Sequence, residues 1–261
     1  MYMIILAAGQ GSRLSPYTDK LPKCLVEVSG KTLLDWQLQT ARQSNIRDIA
    51  VVRGYMASAI DRSDVTYFEN LDYADTNMVE TLWCASSVFN EGFLVSYGDI
   101  IYEQCVLEAL LSSSAAISVV VDTCWKDYWE QRFDNVMSDA ETLESNSDGT
   151  ISSIGQKPDH IDQINGQYIG LMMFRGSGVQ ALRQVYENAK LSELSGHLPL
   201  RGQRTFRQLY MTDILQGIVD TGFPVHQVPI KRSWLEIDTV TDLELANKVV
   251  NGSSKQLVVD A

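Results

Sequence analysis

Short apolar runs alternate with amphipathic stretches along the first half of the chain. The run "MIILAA" is continuously apolar, which is typical of a strand buried on both faces of a sheet, and "DIAVVRG", "FLVSYGD" and "AISVVVD" predict further strands. The intervening stretches "TLLDWQLQTARQSNI", "TNMVETLWCASSVF" and "EQCVLEALLSS" predict helices. This β-α-β-α order over residues 1–122 predicts an α/β fold, with a parallel sheet that is covered by helices on both faces.

Two of these helices carry more specific signals. In the first, Leu34, Leu38 and Ala41 fall near one face. Asn77, followed three residues later by Glu80, predicts a capping box at the start of the second. Apolar residues in that second helix recur at the helical period, at Met78, Leu82, Ala85 and Phe89.

The second half of the chain is less regular. Strands are predicted at "TISSIGQKP", "GQYIGLMMF", "PVHQVPI" and "WLEID", and helices at "TFRQLYMTDILQGIVDTG" and "TVTDLELANKVV", the latter capped by Thr239. We expect a single domain over residues 1–250, with an insertion at about residues 123–165. Residues 251–261 read as a polar C-terminal tail, in which "QLVV" is a candidate edge strand.

Composition narrows the possible partners. With 261 residues, 45% of them hydrophobic, the chain can bury a substantial core. The net charge is −12 and no Lys/Arg block stands out, which argues against a nucleic-acid partner. A small phosphorylated substrate remains compatible with this charge, because a few local cations can serve one anion.

Cysteine and hydropathy patterns predict a cytoplasmic protein. The four cysteines form no C-x-x-C pair and there are only three histidines, so we expect reduced thiols and no zinc site. The apolar start lacks a basic region and is too short for a signal peptide, and no run reaches the length of a membrane span. Monomer and homodimer both stay open.

The loop after the first strand, "AAGQGSR", has the composition of an anion-binding loop. Its alanines and glycines carry almost no side chain, so backbone N–H groups can approach an anion closely. Arg13 adds a positive charge, and "LPKCL" supplies Lys23. The loop is not a Walker A motif, and Leu14 at the third glycine position excludes the G-x-G-x-x-G fingerprint. The alternative is a tight turn with a surface arginine.

The longer stretch "ILAAGQGSRLSPYTDKLPKCLVEVSGKTLLDWQL" resembles the opening of nucleotidyltransferases that join a nucleoside triphosphate to a phosphorylated small molecule. It matches their pattern L-A-A-G-x-G-x-R-L-x-P-x-T, then P-K-x-L, then G-K-x-L/I-L. The resemblance implies a GT-A-type, Rossmann-like fold with a mixed, mainly parallel sheet. It also implies that Gly9–Arg13 and Lys23 cradle the triphosphate, and that Arg13 and Lys23 offset charge on the leaving pyrophosphate.

Two aspartates at predicted strand ends are candidate metal ligands. Asp99 ends "VSYGD" and Asp238 ends "WLEID". Phosphoryl chemistry of this kind uses Mg²⁺, which is usually held by one or two carboxylates. Such aspartates often only cap the next helix, although Thr239 is an equally good cap beside Asp238. The resemblance implies that both aspartates bind Mg²⁺.

Several features narrow the resemblance to cytidylyltransferases. Sugar-nucleotide enzymes of the superfamily carry E-K-P, whereas this chain has "IGQKP" with Gln156 at the glutamate position. The stretches "PKCL", "VVRGY", "ADTNMVETLWCA", "SYGD" and "WLEID" resemble phosphocholine cytidylyltransferases and their aminoethylphosphonate-using cousins. In that group Thr76–Met78 would line the base pocket, where Asn77 could pair with cytosine or act only as a helix cap. The residues assigned to the nucleotide are Leu6, Ala7, Ala8, Gly9, Gly11, Ser12, Arg13, Lys23, Gly54, Tyr55, Thr76, Asn77, Met78, Tyr97 and Gly98.

Aromatic and acidic residues in the second half are candidates for the acceptor. Trp125 and Trp129 would share a face of a helix, and an ammonium group binds well between aromatic faces. The alternative is that both tryptophans pack into a core. Lys157 is the expected partner of the acceptor phosphate or phosphonate. The remaining acceptor candidates are Asp139, Glu141, Tyr168 and Glu236.

These observations favour a Mg²⁺-dependent cytidylyltransferase that transfers CMP from CTP to a small amine-bearing phosphate or phosphonate and releases pyrophosphate. Its catalytic residues would be Arg13, Lys23, Asp99 and Asp238. The enzymatic alternative is a sugar-1-phosphate nucleotidyltransferase that uses UTP or dTTP. An alternative of another class is a regulatory module that binds nucleotide without turnover, which would be expected to have lost some of these charged residues.

Overall fold

The computed structural model describes residues 1–252, which form a seven-stranded mixed sheet with helices on both faces. The strands are β1 (Tyr2–Ala7), β2 (Glu27–Val28), β3 (Lys31–Thr32), β4 (Ile49–Arg53), β5 (Thr66–Glu69), β6 (Gly92–Tyr97), β7 (Ile100–Tyr102), β8 (Ile117–Asp122), β9 (Leu143–Ser145), β10 (Ile151–Ile154), β11 (Gln167–Arg175), β12 (His226–Ile230) and β13 (Trp234–Glu236). The helices are α1 (Leu33–Gln43), α2 (Met78–Trp83), α3 (Gln104–Ser112), α4 (Trp125–Arg132), α5 (Ser177–Leu194), α6 (Met211–Asp220) and α7 (Val240–Asn251).

The central sheet has the strand order β12-β8-β11-β6-β1-β4-β5. β11 runs antiparallel to both of its neighbours, and the other pairs in the sheet are parallel. Three two-stranded ribbons, β2-β3, β7-β13 and β9-β10, complete the β structure of the described residues. The prediction of a Rossmann-like α/β fold with a mixed, mainly parallel sheet is therefore confirmed.

The apolar strand runs are explained by two cores on opposite faces of the sheet. Met3 and Ile5 of β1 belong to one core, which is covered by α1, α3, α4 and α7. Ile4 and Leu6 belong to the other, which is covered by α2, α5 and α6. Because alternate residues of a strand point to opposite faces, a strand buried on both sides must be apolar at every position.

The helix that the apolar pattern predicts over residues 76–89 is shorter in the structure. α2 ends at Trp83, and a separate 3-10 turn follows. The Asn77 side chain caps the helix by accepting a hydrogen bond from the N–H of Met78. The predicted capping box between Asn77 and Glu80 is wrong. The Glu80 carboxylate instead accepts a hydrogen bond from the Tyr186 hydroxyl at 2.8 Å, so it ties α2 to α5.

Two further helices differ from the sequence prediction. The helix predicted over "TFRQLYMTDILQGIVDTG" begins only at Met211, after a 3-10 turn at Phe206–Gln208. The 18-residue helix α5 was not predicted, although its buried face recurs at helical spacing. Those buried residues include Val179, Leu182, Val185, Tyr186 and Ala189.

Residues 123–165, the predicted insertion, contain α4 and the β9-β10 ribbon.

The C-terminal end of the described chain is helical. Thr239 caps α7 as predicted, since its hydroxyl accepts a hydrogen bond from the N–H of Asp242 at 3.2 Å. α7 runs to Asn251, and the "QLVV" stretch lies outside the described residues. Within residues 1–252, none of the helices combines the length and hydropathy that a membrane span requires.

The ends of β1 and β6 approach so closely that the chain needs a glycine there. A Cβ on Gly98 would lie 2.6 Å from the Leu6 carbonyl oxygen and 3.2 Å from the Ala7 Cα. We expect Gly98→Ala to lower the free energy of unfolding by roughly 1–3 kcal/mol, as overpacking does. Urea denaturation would measure this. Gly9→Ala is the control, because a Cβ there meets nothing within 4 Å. An equal free energy of unfolding for the two variants would contradict the predicted steric clash at Gly98.

Candidate active site

The carboxyl ends of the central strands gather a lysine and two aspartates. Lys23 donates to Asp99 Oδ2 at 2.7 Å and to Asp238 Oδ1 at 2.6 Å. Only about a tenth of the Lys23 side chain is exposed. Asp238 also forms an ion pair with Arg13, whose side chain is mostly exposed. Residues predicted from three distant parts of the sequence thus meet at one place.

Backbone pairing fixes the two aspartates relative to each other. Asp99 lies in the turn between β6 and β7, and Asp238 follows β13. β7 and β13 pair antiparallel, with Glu236 opposite Ile100, and the Ile237 N–H donates to the Asp99 carbonyl at 2.9 Å. The aspartates are therefore held by a rigid ribbon rather than by a free loop.

A buried ion-pair network supports Asp238 from behind. The Arg132 Nε donates to Asp242 at 2.8 Å, and the same guanidinium pairs with Glu236 at 2.6 Å. The Asp242 carboxylate in turn accepts a hydrogen bond from the Asp238 N–H at 3.1 Å. This network joins α4, β13 and α7, and the side chains of Arg132 and Asp242 are almost fully buried.

The charge of Lys23 is secured by its partners. Burial lowers the pKa of the Lys23 ammonium, but the adjacent carboxylates of Asp99 and Asp238 outweigh this and raise the pKa to about 12. Lys23 therefore stays a cation throughout the physiological pH range.

The two aspartates fit a divalent cation. Their oxygens already converge on one cationic group, the Lys23 Nζ, and Asp99 Oδ1 is buried without a hydrogen-bond partner in the described chain. Hard carboxylate oxygens are what Mg²⁺ prefers, and Mg²⁺ commonly takes only one or two of them plus substrate phosphates. Residues 1–252 hold no group of three or more Asp, Glu, His or Cys suited to a metal.

A first cleft opens beside Lys23 along the ends of β1 and β6. Ten of its lining residues were predicted for the nucleotide: Leu6, Ala7, Ala8, Gly9, Lys23, Thr76, Asn77, Met78, Tyr97 and Gly98. Asp99 also lines this cleft, as do Cys24, Tyr73 and Thr81, which the sequence does not predict there. The Asn77 side-chain NH₂ has no partner within residues 1–252, whereas the Asn77 backbone N–H donates to the Arg207 carbonyl at 2.9 Å.

Five predicted nucleotide residues do not line that cleft. One of them, Arg13, lines the second cleft described below, and the other four lie in or near the loop. Gly11 has a φ of +75° and packs against Lys23, where a Cβ would lie 2.8 Å from the lysine side chain. Ser12 begins a short 3-10 turn and is exposed. Gly54 and Tyr55 lie behind the loop, with the Tyr55 N–H bonded to the Ala8 carbonyl at 2.9 Å. These residues shape or support the loop from outside the cleft.

A second cleft adjoins the first. The two clefts share the residues Asn77, Met78 and Tyr97, and Arg13 and Asp238 line the second. Five of the predicted acceptor residues line it: Trp129, Asp139, Glu141, Tyr168 and Glu236. The cleft is also lined by six residues that the sequence does not predict there: Gln167, Ile169, Gly170, Tyr210, Thr212 and Trp234. Of these, only Gly170 carried a signal, since an isolated glycine inside a strand marks a close approach; it lies against the Tyr97 ring.

Two acceptor predictions are not brought into the second cleft. Trp125 is 5% exposed and packs edge-to-face on Trp129 with the ring centres 5.9 Å apart, so it belongs to the core. Lys157 is exposed and lines neither cleft. The paired-tryptophan face therefore does not form, because one of the two rings is used to fill the space under α4.

The second cleft is acidic, and burial partly removes its carboxyl groups from water. Burial, together with the neighbouring charge of Asp213, raises the pKa of Glu141 to about 7 against the opposing charge of Arg204. Burial likewise raises the pKa of Asp139 and of Glu236, although Arg132 opposes both shifts. Glu236 has an ionic partner in Arg132, whereas the Glu141 carboxylate has none within residues 1–252.

Glu141 should make stability depend on pH. A carboxyl whose pKa is raised in the folded state keeps its proton while the unfolded chain loses it, so stability falls as pH rises from about 4.5 to about 7. Glu141→Gln removes this penalty. We expect the variant to have a higher Tm than the wild type at about pH 8 and a similar Tm at about pH 4.5, by calorimetry. An equal Tm difference at both pH values would show that Glu141 does not titrate in this window.

Comparison with known proteins agrees with this geometry. The family model described as the MobA-like NTP transferase domain matches residues 3–206. The chain is 34% identical over 256 residues to the CTP:phosphoglutamine cytidylyltransferase of Campylobacter jejuni, a match that covers 94% of this chain and 98% of that protein.

More distant relatives share part of the sequence or only the fold. The choline-phosphate cytidylyltransferase of Streptococcus pneumoniae is 29% identical over 133 residues, covering 49% of this chain and 58% of that protein. The solved structure of the CTP:phosphocholine cytidylyltransferase from Streptococcus pneumoniae superposes with a TM-score of 0.71 at 19% identity, covering 96% of this chain and 99% of that one. The extent of the family match and the full-length relative together show that the chain belongs to the nucleotidyltransferase family described by the MobA-like NTP transferase domain.

Proposed function

We propose that this protein is a Mg²⁺-dependent cytidylyltransferase that transfers CMP from CTP to a small amine-bearing phosphate or phosphonate and releases pyrophosphate. One observation carries the proposal. The Lys23 ammonium bonds Asp99, which lines the first cleft, and Asp238, which lines the second, so the charged cluster stands where the two clefts meet. A donor and an acceptor bound in the two clefts would present their phosphates to the same cluster.

The first cleft suits the nucleotide. The small residues at the end of β1 leave backbone N–H groups accessible to phosphate oxygens, as an anion site requires. The unpaired Asn77 amide can donate to cytosine O2 or N3, and backbone carbonyls can accept from the exocyclic amine. CTP is further supported by the names of the Campylobacter jejuni and Streptococcus pneumoniae relatives.

The reaction needs positioning and charge neutralisation rather than a general base. An oxygen of the acceptor phosphate, already anionic, forms a bond to the α-phosphorus of CTP. The bond from that phosphorus to the bridging oxygen of the β-phosphate breaks, and pyrophosphate leaves with the electron pair. Lys23 and Arg13 would hold the phosphate oxygens in line and offset the charge that develops on the leaving group.

Asp99 and Asp238 would hold the magnesium ion. When bound, Mg²⁺ supplies electrostatic stabilisation of the transferring phosphoryl group. The ribbon of β7 and β13 keeps the two carboxylates at a fixed separation before substrate arrives, so little reorganisation is needed at the moment of reaction.

The acceptor class rests on the second cleft. Its carboxylates outnumber its cations, which favours a positively charged head group. The Campylobacter jejuni relative is named for phosphoglutamine, and glutamine carries an α-amino group. The Streptococcus pneumoniae relative is named for choline phosphate, which carries a quaternary ammonium.

Pyrophosphate release tests the proposal directly. The purified protein would be incubated with Mg²⁺ and CTP, UTP, dTTP or ATP, each with phosphoglutamine, phosphocholine, 2-aminoethylphosphonate or glucose 1-phosphate. We expect release with CTP and an amine-bearing acceptor, and no release without Mg²⁺. Release with UTP or dTTP and glucose 1-phosphate would identify a sugar nucleotidyltransferase. Nucleotide binding without release from any pair would identify a non-catalytic module.

A further inference from the structure

We propose that Glu141 is a specificity-determining residue that accepts hydrogen bonds from an N–H-bearing ammonium group of the acceptor, so that the enzyme prefers a primary amine to a quaternary one. This inference rests on the proposed cytidylyltransferase function and assigns the chemistry of its acceptor. A primary ammonium donates up to three hydrogen bonds, whereas a trimethylammonium donates none.

Glu141 is a carboxylate without a partner. Its side chain lines the second cleft and is largely buried, yet it makes no hydrogen bond or ion pair within residues 1–252. An unpaired carboxylate in a desolvated position is costly unless a ligand supplies the counter-charge. The cleft is thus preset for a cation at this point.

The backbone of Glu141 is fixed by a two-point clamp. The Gln167 side chain accepts a hydrogen bond from the Glu141 N–H at 3.3 Å and donates to the Glu141 carbonyl at 2.8 Å. Gln167 is itself buried in β11. The carboxylate is therefore carried on an ordered backbone, as a recognition group requires.

The other charged groups around the cleft are already neutralised or more open to water. Glu236 pairs with Arg132, and Asp238 pairs with Arg13 and Lys23. Arg204, whose charge opposes the raised pKa of Glu141, pairs with Asp213 at 2.9 Å. Asp139 is more exposed than Glu141, so water screens its attraction to a cation more strongly. Glu141 is therefore the group that an incoming ammonium would neutralise.

Within residues 1–252, the aromatic side chains of the second cleft do not form a cage for a quaternary ammonium. Trp129 and Trp234 line the cleft but are only 4% and 3% exposed, so their faces lie in the core. The Arg132 guanidinium already sits 5.1 Å from the Trp129 ring centre and would repel a second cation there. Tyr97 and Tyr168 meet edge-to-face, so they do not form parallel walls around a methylated head group.

The test compares phosphoethanolamine, phosphocholine and phosphoglutamine as acceptors with CTP and Mg²⁺, using pyrophosphate release. The first two differ only in the methyl groups on nitrogen. In the wild type we expect kcat/KM to be about tenfold or more higher for the primary amines than for phosphocholine, since hydrogen bonds to charged groups are the strong ones. Glu141→Gln should erase this preference by lowering kcat/KM for the primary amines, leaving KM for CTP unchanged.

Glu144→Gln is the matched control, because Glu144 lies in β9 and lines neither cleft. It should keep the wild-type preference. Two results would overturn the assignment: equal or better use of phosphocholine by the wild type, or an unchanged preference in Glu141→Gln. Absence of turnover with every amine-bearing acceptor would instead count against the proposed function itself.

Discussion

Asp99→Asn or Asp238→Asn is expected to lower kcat by about a hundredfold or more while the protein stays folded. Each substitution keeps the shape of the side chain but removes a negative charge from the pair that would bind Mg²⁺. The loss should persist at saturating Mg²⁺ and CTP, because the charge stabilises the transition state and not only the bound substrates. Steady-state pyrophosphate release measures kcat, and circular dichroism checks the fold.

Asp134→Asn controls for the loss of one negative charge, since Asp134 is exposed and lines neither cleft. It should turn over like the wild type. Isothermal titration with Mn²⁺ provides a readout independent of activity, and both active-site variants should bind the ion more weakly. Near-normal kcat in either variant at saturating Mg²⁺ would remove that aspartate from the site.

The strand ends were predictable because burial and motif agree there. A strand buried on both faces must be apolar throughout, so the first polar residues after it mark the edge of the sheet where ligands bind. This argument predicts Asp99 and Asp238, the motif resemblance adds Lys23, and the three side chains do converge. The residues that line the second cleft cannot all be predicted by this argument, because Tyr210 and Thr212 reach the cleft from the start of α6, far along the chain.

The helix predictions that differ from the structure have one physical cause. In each case a residue distant in sequence contacts the side chain in place of its expected neighbour on the helix. Asn77 and Glu80 have the spacing of a capping box, but the Tyr186 hydroxyl takes the Glu80 carboxylate. Trp125 and Trp129 have the spacing of a shared face, but the space under α4 takes Trp125. Spacing along a helix shows which residues are neighbours, and it does not show which neighbour the fold will use.

The buried ion-pair network behind Asp238 is another set of contacts that spacing along the sequence does not predict. Arg132 and Asp242 are far apart in sequence and carry no motif, yet they hold the segment that presents a candidate metal ligand. A buried charge of this kind is strongly destabilising when its partner is removed. The sequence indicated the ligand, and only the structure identified its support.

Lys23→Met is expected to have a second large effect, a loss of about a hundredfold or more in kcat that exceeds any rise in KM for CTP. The Lys23 ammonium is the buried cation between Asp99 and Asp238, and in catalysis its charge is needed most as pyrophosphate departs. If only the KM for CTP rises, Lys23 serves ground-state binding and not the transition state.

The same substitution should change how the folded protein responds to metal, because Lys23 bonds the very oxygens that would bind the ion. Without the lysine, the two carboxylates are left close together with only Arg13, on Asp238, as a counter-charge. Lys23→Met should therefore lower Tm in chelator, recover Tm on addition of Mg²⁺ and bind Mn²⁺ more tightly than the wild type when no nucleotide is present. Lys20→Met, an exposed lysine three residues earlier, should show none of these effects. A Tm for Lys23→Met that does not respond to Mg²⁺ would mean that the lysine and the ion do not compete for the same carboxylates.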